Sequence, residues 1–162
     1  MDDTPDNPRR DAAKTAPAAF DFVALADFVC SVGHNEFLGL KYQRHGTDWV
    51  EMVLPWRADL IGVEETGVLA SGPIVSLLDH CTSMSVWARR AMFVAHVTLD
   101  LRIDYVRAAG PERTVTARCE CYQVRRSMAF VRGVAHDGDP TDPVAHAAGI
   151  FMLVDSEQAP RE

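Results

Sequence analysis

The sequence predicts an α+β fold in which an antiparallel sheet wraps around one long central helix. Two observations predict it: an apolar stripe at helical spacing between residues 74 and 84, and four later segments with the alternation typical of strands. The 162 residues, of which 48% are hydrophobic, suffice for one domain to bury a core without disulfides or metals. Proline and charged residues near the start predict a disordered tail over 1–18, followed by one domain over 19–156 and a second tail over 157–162.

Composition argues against several classes of function. The net charge of −7 and the pI near 5.3 leave no basic excess to replace phosphate counterions, so we expect no nucleic-acid partner. No window approaches the roughly 18 apolar residues of a membrane span, so we expect no membrane partner and a cytoplasmic location. Metal-ligand spacing and a glycine-rich phosphate loop are both missing, so we expect no metal and no cofactor. Without a C-x-x-C pair, the cysteines are interpreted as reduced, structural thiols: Cys30, Cys81, Cys119 and Cys121.

The elements before the central helix are predicted from local patterns. A short helix is expected over 20–29, with Gly33 as its C-terminal cap. Strands are expected over 38–44 and 48–55, joined by a short glycine-containing connection of the hairpin kind. Residues 56–71 show no period and are interpreted as an irregular loop with many carboxylates.

The central helix carries two stripes. Gly72 is expected as its N-cap, with Pro73 at the first helical position, where its missing N–H would be unpaired anyway. The apolar stripe faces the core and comprises Ile74, Leu77, Leu78, Cys81 and Met84. A second, small and polar stripe comprises Ser76, Asp79, Thr82 and Ser83. Because an apolar helix has no structural use for a carboxylate there, Asp79 is the main candidate for chemistry.

Four strands are predicted after the helix. The segment 96–105 alternates throughout, which predicts one shared face for Val97, Leu99, Leu101, Ile103 and Tyr105. Further strands are expected over 114–124, 128–136 and 145–154, with a tight bend at 125–127.

The segments 64–72 and 98–108, together with Asp79, resemble the hotdog-fold acyl-CoA thioesterases of the phenylacetic-acid-pathway (PaaI-like) type. In that family a His-Gly-Gly signature opens the central helix, and an acidic residue follows seven positions after the second glycine. Gly72 and Asp79 have this spacing, whereas Ala70 and Ser71 replace the histidine and the first glycine. The resemblance implies the hotdog fold, an acyl-CoA substrate, and a homodimer or dimer of dimers (homotetramer) whose subunits share the site.

The resemblance also implies roles for individual residues. Asp79 would be the general base or nucleophile, and the Gly72 backbone N–H would donate to the oxyanion. An asparagine of many relatives corresponds either to Glu64 or to Asp59, and Thr98 matches a hydroxyl that helps to hold the attacking water. Residues proposed to contact substrate or the coenzyme A tail are Ser71, Ser83, Arg125, Arg126 and Ser127.

Other assignments carry less weight in the sequence. His80 lies about 100° around the helix from Asp79, which argues against a catalytic dyad and favours a satisfied or surface histidine. His34 and Asn35 form a weaker candidate for the site. Thioester hydrolysis is the leading function, a non-catalytic acyl-CoA binding protein is the alternative, and enoyl-CoA hydration is ranked last.

Overall fold

The computed structural model describes residues 20–154, so the predicted tails over 1–18 and 157–162 lie outside the described residues. The helices of this part are α1 (Phe22–Cys30), α2 (Gly33–Leu38) and α3 (Ser71–Arg90), with a 3-10 turn at Ala58–Leu60. Its strands are β1 (Lys41–His45), β2 (Trp49–Leu54), β3 (Ile61–Val63), β4 (Val68–Leu69), β5 (His96–Tyr105), β6 (Val115–Arg125), β7 (Met128–His136) and β8 (Ala145–Leu153).

Six of these strands form one antiparallel sheet, in the order β1-β2-β6-β7-β8-β5. One face packs against α3, and alternate residues of each strand point to it. On β6 these inward residues are Val115, Ala117, Cys119 and Cys121, all buried. They meet the apolar stripe of α3, where Leu77, Leu78, Cys81 and Met84 are inaccessible to solvent. The predicted fold class is therefore confirmed.

The N-terminal part differs from the prediction at two glycines. Asp21 caps α1 by accepting a hydrogen bond from the backbone N–H of Ala24 at 3.1 Å, and the helix ends at Cys30. Gly33 opens α2 and is not the cap of α1. Gly39 ends α2 in the left-handed conformation, with φ of 71°, so the first strand begins three residues later than predicted.

The segment 56–71 is more regular than predicted. It contains the 3-10 turn and the β3–β4 hairpin, and the indole N–H of Trp56 donates to the carbonyl of Gly67 at 2.8 Å. A Cβ at Gly62 would lie 3.0 Å from the Cα of Ala70, so glycine permits the close approach of β3 to Ala70, the residue after β4. Strands of two and three residues are too short to show a period, which is why the sequence predicts a loop.

The central helix begins slightly earlier than predicted. Its N-cap is Ala70, which places Gly72 second and Pro73 third in the helix. Proline is tolerated there because the first four N–H groups of a helix have no intrahelical acceptor. Thr82 was expected on the polar stripe, but it is buried and its hydroxyl donates to the carbonyl of Leu78 at 2.8 Å.

The predicted uninterrupted alternation over 96–105 is wrong, because strand β5 contains an irregularity. The pairing register with β8 shifts between Thr98 and Asp100, so a β-bulge interrupts the alternation. Buried β8 residues pair with Thr98 before the bulge and with Leu101, Ile103 and Tyr105 after it, and the half-buried Leu153, which packs against the core, pairs with His96. Val97 and Leu99 therefore do not share a face with Leu101, and both are exposed. The bulge turns His96 and Thr98 toward α3.

Candidate active site

Asp79 and Thr98 meet on the open face of α3. The hydroxyl of Thr98 donates to Oδ1 of Asp79 at 3.1 Å. Asp79 is half-buried, and its only side-chain hydrogen bond within residues 20–154 is this one to Oδ1. This contact exists because the bulge in β5 places Thr98 on the helix-facing side. The hydrogen bond therefore fixes the orientation of the Asp79 carboxylate.

One turn further along α3, Ser83 meets His96. The Oγ of Ser83 lies 2.7 Å from Nε2 of His96, and Nδ1 of His96 lies 2.8 Å from the carbonyl of Val94. The rings of Trp87 and Phe151 pack around the imidazole, at 5.6 and 5.1 Å between centroids. Burial lowers the pKa of His96, against smaller raising effects of the Val94 hydrogen bond and of the Asp79 charge. The imidazole is therefore neutral at neutral pH.

A second group of polar contacts joins α2 to α3. Nε2 of His34 lies 3.3 Å from Oγ of Ser76, and Nδ2 of Asn35 lies 3.3 Å from Nε2 of His80. Asn35 also donates to the carbonyl of Val29 at 3.2 Å. His80 is thus a satisfied histidine bonded to Asn35, in agreement with the interpretation of its sequence position.

His80 makes the stability of the fold sensitive to acid. Burial, with a smaller contribution from the nearby His96, lowers the pKa of His80 from 6.5 to about 4. Below pH 6.5, His80 is therefore protonated in the unfolded chain but stays neutral in the folded chain. Because the unfolded chain binds more protons, the free energy of unfolding falls as the pH falls toward 4. This difference corresponds to a loss of roughly 3 kcal/mol at about 1.4 kcal/mol per pH unit.

Urea unfolding between neutral pH and pH 4 checks this prediction. In His80→Gln, we expect the free energy of unfolding to fall less steeply between pH 6.5 and 4 than in the wild-type protein. The same substitution at the exposed His146 should leave this pH dependence unaltered. An equally steep limb in His80→Gln would show that other groups cause the acid sensitivity.

The first turn of α3 presents Gly72 to solvent. Gly72 is exposed, and a Cβ built on it would have no atom within 4 Å. As the second residue of α3, it has an N–H without an intrahelical acceptor. The preceding carbonyl, that of Ser71, accepts a hydrogen bond from the hydroxyl of Tyr105 at 2.9 Å. A cavity of about 290 Å³ opens beside this turn and is lined mostly by apolar residues, including Ile74 and Val144.

The two carboxylates proposed for the asparagine position lie elsewhere on the chain. Glu64 is exposed in the turn between β3 and β4. Asp59 lies in the 3-10 turn and forms an ion pair with Arg57, whose Nε is 3.0 Å from Oδ1 of Asp59. Neither carboxylate has a hydrogen bond to Asp79 within residues 20–154, so the choice between them stays open.

The proposed coenzyme A contacts lie at the bend between β6 and β7. Arg125, Arg126 and Ser127 are all exposed there, and the carbonyl of Ser127 accepts from the N–H of Leu153 at 2.8 Å. The bend is therefore tied to the end of β8, while its two guanidinium groups are accessible to an anion.

The outer face of the sheet carries a separate groove of about 770 Å³. Its lining includes Arg44, Glu51 and Arg118, and Glu51 pairs with both arginines. No residue of α3 lines it, so this groove is distinct from the candidate active site. Among residues 20–154 no cluster of metal-ligating side chains occurs, and no helix has the length and apolarity needed to cross a membrane. All four cysteines are free thiols, and Cys81, Cys119 and Cys121 are buried.

A long helix packed against a six-stranded antiparallel sheet, with an acidic residue two turns after its start, defines a protein of the hotdog fold. The family model of the thioesterase superfamily matches residues 66–144, which include all of α3. The chain belongs to the thioesterase superfamily.

Several solved structures share this fold. A Pseudomonas aeruginosa protein is 34% identical, with 83% of this chain and 100% of that chain covered and a TM-score of 0.75. A thioesterase from Haemophilus influenzae is 18% identical, with 86% and 94% covered and a TM-score of 0.74. The PaaI protein of the E. coli phenylacetic acid degradation operon is 15% identical, with 78% and 85% covered and a TM-score of 0.66. No curated protein gave a significant match to this chain.

Sequence reasoning missed two residues of this region. His96 was not a candidate, because uninterrupted alternation along β5 assigns it to the face opposite Leu101, whereas the bulge places both on the face toward α3. Tyr105 was assigned only to an apolar face, yet its hydroxyl contacts the start of α3. The spacing of His96 and Thr98, two residues apart on a strand, was the available signal that they share a face.

Proposed function

We propose that this protein hydrolyses the thioester of an acyl-CoA with a small-to-medium or aromatic acyl group. The observation that carries the proposal is the Asp79–Thr98 contact on the open face of α3, at the family spacing from Gly72. The cavity of about 290 Å³ beside Ser71 supports an acyl group of modest size, since small-molecule pockets usually start at roughly 300 Å³.

The chemistry assigned to these groups is a hydrolytic acyl transfer. Asp79, acting as general base, takes a proton from water while the water oxygen bonds to the thioester carbonyl carbon. The Gly72 N–H donates to the oxyanion, an interaction whose loss typically costs about 10²- to 10³-fold in kcat. The C–S bond then breaks, and the coenzyme A thiolate leaves with the proton that Asp79 took from the water, which restores the carboxylate. Direct attack by the Asp79 carboxylate is the alternative first step.

The distance along the helix supports a site shared between two copies. Gly72 and Asp79 are seven residues apart, which corresponds to about 10 Å along the axis of α3. A base and an oxyanion donor that serve one carbonyl must each lie roughly 3 Å from the reacting atoms. Gly72 of one chain and Asp79 of a second copy therefore form a better pair than the two residues of one chain. In such a dimer, Glu64 or Asp59 would reach the site from the neighbouring subunit.

The edge of the sheet offers a place for the second copy. Strand β5 is an edge strand of ten residues, and its exposed apolar side chains include Val97 and Leu99. An unpaired edge of this length is a template for pairing with another strand. We propose that β5 pairs with β5 of the second copy, and that two such dimers can assemble further.

Dilution tests the shared site. We expect specific activity to fall at the protein concentration at which sedimentation velocity shows dissociation into monomers, because a monomer separates Gly72 from its partner carboxylate. Leu99→Lys adds a charge to the exposed edge and should weaken the dimer. In this variant, both the dissociation into monomers and the loss of specific activity should occur at a higher protein concentration. Full specific activity of the monomer would contradict the shared site.

A thiol-release assay over short, long, branched and aromatic acyl-CoAs tests the proposed function. We expect turnover with at least one class. The replacement of the family His-Gly by Ala70 and Ser71 favours one competing function, a non-catalytic acyl-CoA binding protein. Tight binding by calorimetry without thiol release across the panel would establish that alternative.

A further inference from the structure

Two parallel contacts connect α3 to β5. Asp79 and Ser83 lie one turn apart on the helix, and Thr98 and His96 lie two residues apart on the strand. Thr98 bonds to Asp79 at 3.1 Å, and His96 bonds to Ser83 at 2.7 Å. The proposed function uses the first contact only, so the second contact calls for a chemical explanation.

The tautomer of His96 follows from its neighbours. The carbonyl of Val94 can only accept, so Nδ1 of His96, 2.8 Å away, carries a proton. The same carbonyl accepts from the indole N–H of Trp87 at 2.9 Å, which fixes its position. In a neutral imidazole Nε2 then has a lone pair and accepts the hydroxyl proton of Ser83. The oxygen of Ser83 keeps lone pairs that can accept a further hydrogen bond.

We propose that His96 is a positioning residue that keeps the Ser83 hydroxyl an acceptor for the attacking water. This inference rests on the proposed function. The water donates one hydrogen to Asp79 and the other to Oγ of Ser83, so an oxygen lone pair points at the thioester carbonyl. The O–C bond forms as Asp79 takes its proton, and the second hydrogen stays on the product acid. His96 exchanges no proton during turnover.

Protonation of His96 reverses this arrangement. An imidazolium donates from Nε2 to Ser83, and the serine hydrogen then turns toward the water or the carboxylate and competes with the productive geometry. The titratable groups that face His96 are Asp79 and His80, both on α3, while Trp87 and Phe151 contribute aromatic rings from α3 and β8. Acid should therefore lower kcat in step with the titration of His96.

Two measurements on the full-length protein test the proposal. Long-range ¹H–¹⁵N correlation spectra should show His96 protonated at Nδ1 and unprotonated at Nε2 at neutral pH.

In His96→Gln the amide oxygen can accept from Ser83 without titrating, so kcat should stay near the wild-type value and the acid limb assigned to His96 should disappear. His96→Ala should lower kcat by about 10- to 100-fold with little change in KM, which is less than the ~10²- to 10⁴-fold expected for the base itself. The matched control His146→Gln, on the outer face of β8, should leave the profile unchanged.

The outcomes separate this inference from the proposed function. A proton on Nε2 at neutral pH, or an unchanged acid limb in an active His96→Gln enzyme, overturns the role of His96. Absence of thiol release by the wild-type protein overturns the proposed function instead. The spectrum then still decides whether Ser83 or His96 donates the hydrogen bond between them. Should His96→Gln fail to fold, the wild-type spectrum and its titration against kcat provide the test.

Discussion

Asp79→Asn is expected to reduce thioester turnover by about 10²- to 10⁴-fold, the usual contribution of a general base. An amide can neither take the proton of water nor attack a carbonyl. It retains an oxygen that accepts the Thr98 hydroxyl, whose present distance to Oδ1 is 3.1 Å, so the fold should be preserved. Steady-state thiol release and a circular dichroism melt of the same sample measure both effects.

Asp100→Asn is the matched control, because Asp100 is exposed on β5 beside the bulge. It makes the same chemical change close to the site without touching the reacting groups, and we expect wild-type turnover. Unchanged turnover in Asp79→Asn would remove Asp79 as base or nucleophile. Equal losses in the two variants would indicate a general effect of charge near β5.

Asp137→Asn is expected to destabilise the fold by about 1–3 kcal/mol, the usual range for hydrogen bonds to a charged group. The Asp137 carboxylate accepts from Nη1 and Nη2 of Arg107 at 2.9 and 2.6 Å and from the N–H of Gly110 at 2.6 Å. Its side chain is 11% exposed and that of Arg107 is 30% exposed, so loss of the charge leaves a half-buried guanidinium whose remaining charged partner is the more exposed Asp142. Urea unfolding at neutral pH measures the loss.

The Arg107 hydrogen bonds hold the pKa of Asp137 well below its usual range. A carboxylate with a lowered folded pKa stabilises the fold at any pH above its unfolded value of about 3.9, and this contribution is lost as the pH falls toward the folded value. The acid sensitivity below pH 6.5 is therefore assigned mainly to His80, with a contribution of the same sign from His96, and not to Asp137.

Asp104→Asn is the matched control for Asp137→Asn. It breaks the Arg102–Asp104 pair, whose side chains are 74% and 55% exposed, and surface pairs of this kind contribute about 0–1 kcal/mol. A loss of similar size in both variants would contradict the assigned role of Asp137. Because Arg107 also lines the cavity beside Ser71, Asp137→Asn should raise KM as well.

The order of elements could be predicted from the sequence because most of them are long and periodic. The apolar stripe of α3 and the alternation of β6, β7 and β8 extend over several repeats. In each of these elements, the residues that the periodicity assigns to the core are buried. Predictions failed where the decision depended on one residue. Gly33 can end a helix or begin one, and β3 and β4 are too short to carry a signal.

By itself, the sequence determined the α+β class and the central helix, because helical and strand periodicities are local properties, and the spacing of Asp79 from Gly72 gained its meaning from the family resemblance. Only the tertiary structure decided which strand residues face that carboxylate. The β-bulge after Thr98 inserts one residue into β5, and one residue reverses the face of every side chain beyond it. Pairing with β8 fixes that insertion, and no pattern within β5 reveals it. The Asp79–Thr98 and Ser83–His96 contacts therefore depend on long-range strand register.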